Sequence, residues 1–556
     1  MPGLRIDNFS GIVPRTGPTA LEGNQAQIAN NAKLTSLEIR PWRNPTLEYT
    51  PSGGSSVQSI YKFRGPSSSS PVWLEWNYDV DVVPGPVADL DEFRLYYTSS
   101  GFTPRKTNWA MATSSGTAPY PNSYYEMGVP APTGAPALSK AGTGTAPSED
   151  RAYVYTYVTK FGNVYEESAP SPPTNITGVN TSGDSVTITG FATPPTGNYN
   201  FYERRIYRSV IGATTSTYLL VAAIPMATTS YVDTKTATQL GDSLQSLYYS
   251  PPPSTLQGIV AMPNGMLAGF TGNEIWFCEP YLPHAWPETY KLTTHFPIVG
   301  LGVFGNSLFV GTTHNPYMIT GTTPTSMMQE KLPMMQPCVS KKSITSDQYC
   351  VLYASPNGLV SIAPGTQEVI SNALYTREEW QQLNPSSMIG AVYNNMYFGF
   401  FQTVAGARNS IIVLRGDNPP LATFDSPAKA RFVDSVTGTV YFLSATDNKI
   451  YSLDTSTTGN TIYTWRSKKF IHNRPTTYAA LQVHADYVYM AANPGSYLTV
   501  NLYAEGQGVL TINMTGDEPV RIPNVTRSYY WEIELTGNVP VRRITVATSV
   551  DELEQA

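Results

Sequence analysis

Residues 277–290 read FCEPYLPHAWPETY and gather the side chains from which several kinds of reaction centre are built. Cys278, Glu279, His284, Trp286 and Glu288 stand there between three prolines, the vocabulary of an active site. Glu274, Glu279 and Glu288 offer carboxylates, and two carboxylates suffice for glycoside hydrolysis. Such chemistry also needs elements that hold these groups at compatible geometry. Trp276 and Cys278 alternate on an apolar strand, which predicts that they point together into or across a sheet. Glu279 precedes Pro280 at the strand end, where its carboxylate is expected to accept backbone N–H bonds in a turn. His284, Trp286 and Pro287 fit a rigid proline-flanked loop packed on a sheet face. The loop therefore reads as scaffold, and no catalytic, cofactor-binding or metal-binding residue is assigned.

The other chemistry-bearing residues are scattered. His284, His295, His314, His472 and His484 form no H-E-x-x-H spacing. There is no G-x-S-x-G elbow, no phosphate-cradling glycine loop and no sialidase-type S-x-D-x-G-x-T-W box. Cys278, Cys338 and Cys350 are odd in number and have no metal-ligand spacing, so they read as small core residues made in a reducing cytoplasm. Arg204, Arg205 and Arg208 are expected on a solvated strand face. The expectation is a non-enzyme without cofactor.

The elements that would position these groups are strands. The 556 residues include 37 Tyr, 46 Pro and 43 Gly but only 14% charged side chains, a composition of pleated surfaces and turns. Period-two runs such as YVYTYV, SVTITG and YYWEIEL recur, so the class is all-β. The net charge of −6 argues against a basic surface built to grip nucleic acid. No basic-then-apolar leader opens the sequence and no apolar run reaches the roughly 20 residues of a membrane span, so a soluble protein without a membrane-spanning segment is expected.

Five segments follow. Residues 1–50 form an arm whose LEGNQAQIANNAKL predicts a short helix ended by RPWRNP. Residues 51–128 carry strands of a first propeller segment, residues 129–255 an inserted fibronectin-like β-sandwich, and residues 461–556 a C-terminal β-sandwich with the acidic tail DELEQA. Between them, residues 256–460 repeat an apolar strand–turn–strand plan beginning near Ile259, Ile298, Ile344, Ile389 and Phe432. That period matches four-stranded propeller blades. A sixth blade is expected from residues 56–100, closing a β-propeller of about six blades.

Several stretches resemble the tail nozzle proteins of short-tailed bacteriophages, the tail tubular protein B family. They are AQIANNAKLTSLEIRPWRNP, YVYTYVTKFGNVYEESAPSPP, EPYLPHAWPETY, PIVGL, NPYMITGTTP, PCVSKKSI, VLYASPNGLV and LYTREEWQQLNPSS, in order along the chain and weakest over its last ninety residues. The chain is shorter than the larger nozzle proteins, so the resemblance leaves their distal loops reduced here. It implies a propeller with an inserted platform domain, assembled as a homohexamer below the adaptor ring that joins the portal. Such a structural protein belongs to the virion tail, is assembled in the bacterial host cytoplasm, and retains and conducts the viral DNA during ejection. Genomic double-stranded DNA would pass without sequence-specific binding, and tail fibres are a further partner that the resemblance allows. Six copies would carry about −36, suited to a conduit that repels phosphate. The alternative from another class is a propeller-type tail protein that binds or degrades host glycan.

Overall fold

The computed structural model describes residues 3–87, 92–145, 147–211, 216–347, 349–414, 420–522 and 526–553. The last three residues of the DELEQA tail lie outside them, as does part of the PVADLDE stretch. The chain is nearly all β and divides into two compact units. One comprises Met1–Lys62, Gly311–Pro316 and Leu332–Ala556; the other comprises Phe63–Val310 and Tyr317–Lys331. This division cuts through the 256–460 segment.

Ile259, Ile298, Ile344 and Phe432 fall on or beside the first strand of a four-stranded antiparallel sheet, and Ile389 falls on the end strand of a ten-stranded sheet whose first four strands repeat that plan. In the second unit, strands within 257–293 form one such sheet and strands within 298–331 the next. Phe270, Ile275 and Phe277 of the first pack against Leu308, Val310 and Ile319 of the second. A third four-stranded sheet, Val80–Pro84, Leu95–Ser99, Phe102–Thr107 and Tyr125–Glu126, packs on the other side of the first through Val83, Tyr96, Ile259 and Leu267. It reaches well past the 56–100 stretch expected to supply it, because Phe102–Thr107 continues the hairpin through Ser100 and Gly101.

The first unit repeats the arrangement. Sheets within 345–369 and 389–424 share a core of Leu352, Leu359, Tyr397 and Val413. The 389–424 sheet packs its other face, through Phe398 and Phe400, on Val440 and Phe442 of the next. That last sheet takes its fourth strand, Thr46–Tyr49, from the N-terminal arm, which covers the edge of Ile450–Ser452. Tight hairpins need left-handed residues, and Asn394 and Asn395 supply them at φ 47° and 64°.

The predicted helix at 21–34 is not formed. Its residues make the strands Ala26–Asn30 and Ala32–Lys33. A register shift between Ala26 and Ile28 places Ala26 and Ala29 together in the core, which imitates helical spacing in the sequence. Ala26–Asn30 joins Leu421–Phe424 in parallel and Tyr463–Ser467 antiparallel, linking the 389–424 sheet to the C-terminal strands in one extended sheet. A second sheet, Leu4–Ile6, Val541–Ala547, Ala480–Ala485 and Val520–Arg521, closes over a shared core that includes Trp465, Trp531 and Ile544.

Within the second unit, residues 137–233 form two facing sheets. Ala137–Gly142, Asp184–Thr189 and Tyr231–Asp233 make one; Ser148–Phe161 is the spine of the other. Tyr153, Tyr155, Tyr157, Val186, Ile188 and Ile206 fill the space between them.

Candidate functional site

The loop 277–290 is tied down along its length. Cys278 donates its N–H to Leu267 O and accepts the Leu267 N–H on Sγ, both at 3.0 Å. It is fully buried with Trp276 and Trp286, as the strand alternation predicts. Burial pushes its thiol up to about 12, so it is protonated at neutral pH and a poor nucleophile. Glu279 N–H bonds Ala285 O at 2.8 Å, and Trp286 N–H bonds Ser250 O at 2.7 Å. The Trp286 indole donates to Pro283 O at 2.8 Å. Tyr281 takes a left-handed backbone, φ 63°, fixed by its N–H on Gly265 O.

The carboxylates do not converge. Glu274 pairs with Lys291 at 3.3 Å and accepts from the Trp276 indole at 3.1 Å. Glu279 lies five positions further on, about 16 Å along an extended chain, beyond the spacing of a glycosidase pair. Glu288 is exposed. The expected backbone bonds to the Glu279 carboxylate are not made. Its Oε2 is buried without a hydrogen-bond partner, and burial, with the Glu279 carboxylate adding to it, pushes the Tyr290 phenol up to about 12. The N–H groups of Glu279, Tyr281, Leu282 and Ala285 are committed to backbone carbonyls, and Pro280 and Pro283 have none to offer.

The sequence reading missed the ionic centre beneath this loop. Lys106 and Glu166 form an ion pair with side chains 1% and 2% exposed. Thr159 Oγ1 also reaches Glu166, at 3.4 Å. Burial alone would raise the Glu166 carboxyl, but Lys106 and then His284 bring it below its ordinary value. His284 is 6% exposed, and burial holds its imidazole below the ordinary histidine range, with Lys106 adding to the effect and Glu166 opposing it. Tyr249 meets the His284 ring edge-on at 5.9 Å. A cavity of about 30 Å³ beside it is lined by Arg94, Tyr96, Phe161, Glu166, Tyr281 and His284. That volume suits a water and excludes a sugar ring. No local motif announces the pair, because sixty residues separate its members.

The arginine trio departs from the solvated face expected of it. Ile206 points into the sandwich core, so Arg204 and Arg208, two positions to either side, are carried inward with it. Arg208 Nη1 pairs with buried Asp233 at 2.7 Å, and the Tyr153 hydroxyl donates to the same oxygen at 2.7 Å. Arg204 donates to Met226 O and Thr228 O at 2.5 and 3.1 Å. Arg205, on the opposite face, pairs with Glu167 and Glu203 at 3.0 Å each.

The remaining histidines sit apart: His295 with Tyr317 at 3.0 Å, His314 with Asn315 at 2.6 Å, His472 with Tyr478 at 3.1 Å and His484 with Arg543 at 2.5 Å. Cys338 and Cys350 are buried and stand outside any disulfide. Among the described residues, no group of three or more His, Cys, Asp or Glu could hold a metal ion, and no helix is long and apolar enough to cross a membrane.

No protein-family model matches this chain, and no curated protein matches it. Solved structures show weak likeness, three of them as follows. BBS1N in complex with ARL6DN has 10% identity, covering 46% of this chain and 88% of that one, at a TM-score of 0.26. The N-terminal domain of Nup159 has 8% identity, covering 61% and 85%, at 0.23. PorZ, a surface component of the type-IX secretion system of Porphyromonas gingivalis, has 11% identity, covering 89% and 82%, at 0.25. Likeness at these scores carries no argument about the fold or function of this chain.

Proposed function

We propose that the chain is a structural virion protein of the tail nozzle kind, one subunit of a homohexameric ring below an adaptor ring. The ring retains the viral DNA and conducts it during ejection. In this reading the serial four-stranded sheets are blades of one propeller of about six, and the sandwich within residues 137–233 is the platform. Loops at the lumen form the gate. The protein makes and breaks no bonds; it forms a wall and a passage.

One observation carries the reading: the nozzle-like words run in order along the chain, and several of them fall on or beside the repeated sheets. VLYASPNGLV covers the hairpin of Val351–Ser355 and Gly358–Ala363, and EPYLPHAWPETY is the loop that leaves Glu274–Phe277. The engagement of that loop in its own support agrees with a scaffold role. Ring closure in a closed cyclic assembly is heterologous, with two unlike faces of the subunit meeting at every seam.

Single-particle imaging of the purified protein, alone and with the adaptor from its own particle, tests the proposal. Sixfold rings with an open channel are expected. Monomers or trimers that depolymerise a host polysaccharide, with that activity lost in Glu279→Gln or Glu288→Gln, overturn it in favour of the glycan-directed alternative.

A further inference from the structure

The extended sheet that holds the C-terminal strands ends on Gln507–Asn513. This strand pairs with Leu498–Ala504 on one side. Among the described residues, neither a strand nor a further backbone hydrogen bond reaches its other side. Leu510 stands opposite Leu502 and Ile512 opposite Val500, so both project toward the core with them. Leu502 and Val500 lie between two strands and are 1% and 0% exposed. Leu510 and Ile512, in the same layer but flanked on one side, stay half-buried. Thr511 and Asn513 alternate with them and are exposed.

An open edge is a template for another chain, and proteins blunt it by short length, charge, proline or a bulge. Other sheet ends in this protein use the first two. Leu4–Ile6 and Val520–Arg521 span three and two residues, Met328–Lys331 carries Glu330 and Lys331, and Thr366–Val369 carries Glu368. Gln507–Asn513 runs for seven residues, QGVLTIN, with no charge and no proline. Its one irregularity is a register shift that leaves Val509 as an extra residue, and pairing is regular from Leu510 to Asn513. The charge around the strand has one sign. Residues 504–520 hold Glu505, Asp517 and Glu518, all exposed, and neither Lys nor Arg.

We infer that Gln507–Asn513 takes up, as an added strand, an extended segment of a different polypeptide that is uncharged and apolar at alternate positions along the edge and basic beyond both ends. Main-chain pairing supplies the ladder, and every second side chain of the guest completes the layer of Leu510 and Ile512. Charge decides against a second copy of this chain. Two copies paired antiparallel about the middle of the strand bring Glu505 of each toward the Asp517 end of the other, and parallel pairing sets each acid against itself. Basic flanks meet the same acids with opposite sign. Every residue involved belongs to one compact unit, so the inference goes beyond ring assembly and does not depend on it.

The test titrates the full chain into a labelled synthetic peptide of seven alternating valines and threonines with two lysines at each end. Binding is read by fluorescence anisotropy, and its place by hydrogen exchange of residues 507–513. One control peptide is methylated on its seven central backbone nitrogens, and another carries glutamates in place of the lysines. The lysine-ended peptide is expected to bind, to slow exchange across residues 507–513, and to bind roughly 10-fold more tightly than the glutamate-ended one. Methylation removes the donors of the ladder and should abolish binding. Thr511→Lys, at an exposed position, should weaken binding by blunting the edge, with an unchanged circular dichroism spectrum verifying the fold. Three results overturn the inference: no protection of residues 507–513, binding indifferent to methylation or to Thr511→Lys, or preference for the glutamate-ended peptide. Protection that grows with protein concentration in the absence of peptide overturns it in favour of a second copy.

Discussion

Replacing Lys106 by Met isolates the buried ion pair beneath the loop 277–290. The ammonium disappears, and the Glu166 carboxylate is left 2% exposed with only a 3.4 Å contact from Thr159 Oγ1. Removing one partner of a buried pair costs about 3–5 kcal/mol, because the remaining charge has neither water nor counter-ion. A domain of this size moves by about 2–4 °C per kcal/mol, so the thermal midpoint of the second unit should fall by roughly 6–20 °C. Lys106→Met with Glu166→Leu removes both charges and fills the space with apolar atoms. That double variant should recover most of the loss or exceed the parent, since paired burial returns little net stability. Thermal unfolding followed by near-ultraviolet circular dichroism reads all three proteins. Equal losses in single and double variants, or a single-variant loss below about 1 kcal/mol, would refute the reasoning, because coupling between the charges is what it requires.

Acid should weaken the same centre in two stages. His284 is depressed below about 6.5, so below that pH the unfolded chain takes up the proton first and stability falls. Glu166 is also depressed, so its contribution is complete above about 4.5 and is lost as pH falls through its lower folded value. Unfolding midpoints measured across that range should decline from near pH 6.5 downward; a flat profile would contradict both assignments. The three thiols should resist a disulfide reagent in the folded protein and react together only on unfolding, since all are buried and the thiols of Cys278 and Cys338 are pushed up to about 12. Thr376→Ala should cost about 0.5–2 kcal/mol in a denaturant titration, because Thr376 Oγ1 accepts the Glu379 N–H at 3.2 Å while Glu379 accepts the Thr376 N–H at 2.8 Å.

The repeated strand–turn–strand plan was legible because sheet periodicity is local: Ile259, Ile298, Ile344, Ile389 and Phe432 each lie on or beside the first strand of a four-strand repeat. What failed was decided by partners distant in sequence. Ala26 and Ala29 look helical until a bulge against Tyr463–Ser467 brings both to the core. The inward face of Arg204 and Arg208 was readable from Ile206 between them, but their charge outweighs the alternation when no counter-ion is in view. Asp233, which makes the burial of Arg208 tolerable, arrives twenty-five residues later. The Cys278 environment was readable from its place next to Trp276, whereas the Lys106–Glu166 pair was not, since neither residue has a local signature.

Native mass spectrometry of the purified protein, alone and with the adaptor from its own particle, decides whether this chain is a wall component. Six copies, about 364 kDa from six chains of 60.7 kDa, are the predicted assembly. A species of one or three copies in both preparations, joined to no other virion protein, would contradict the account.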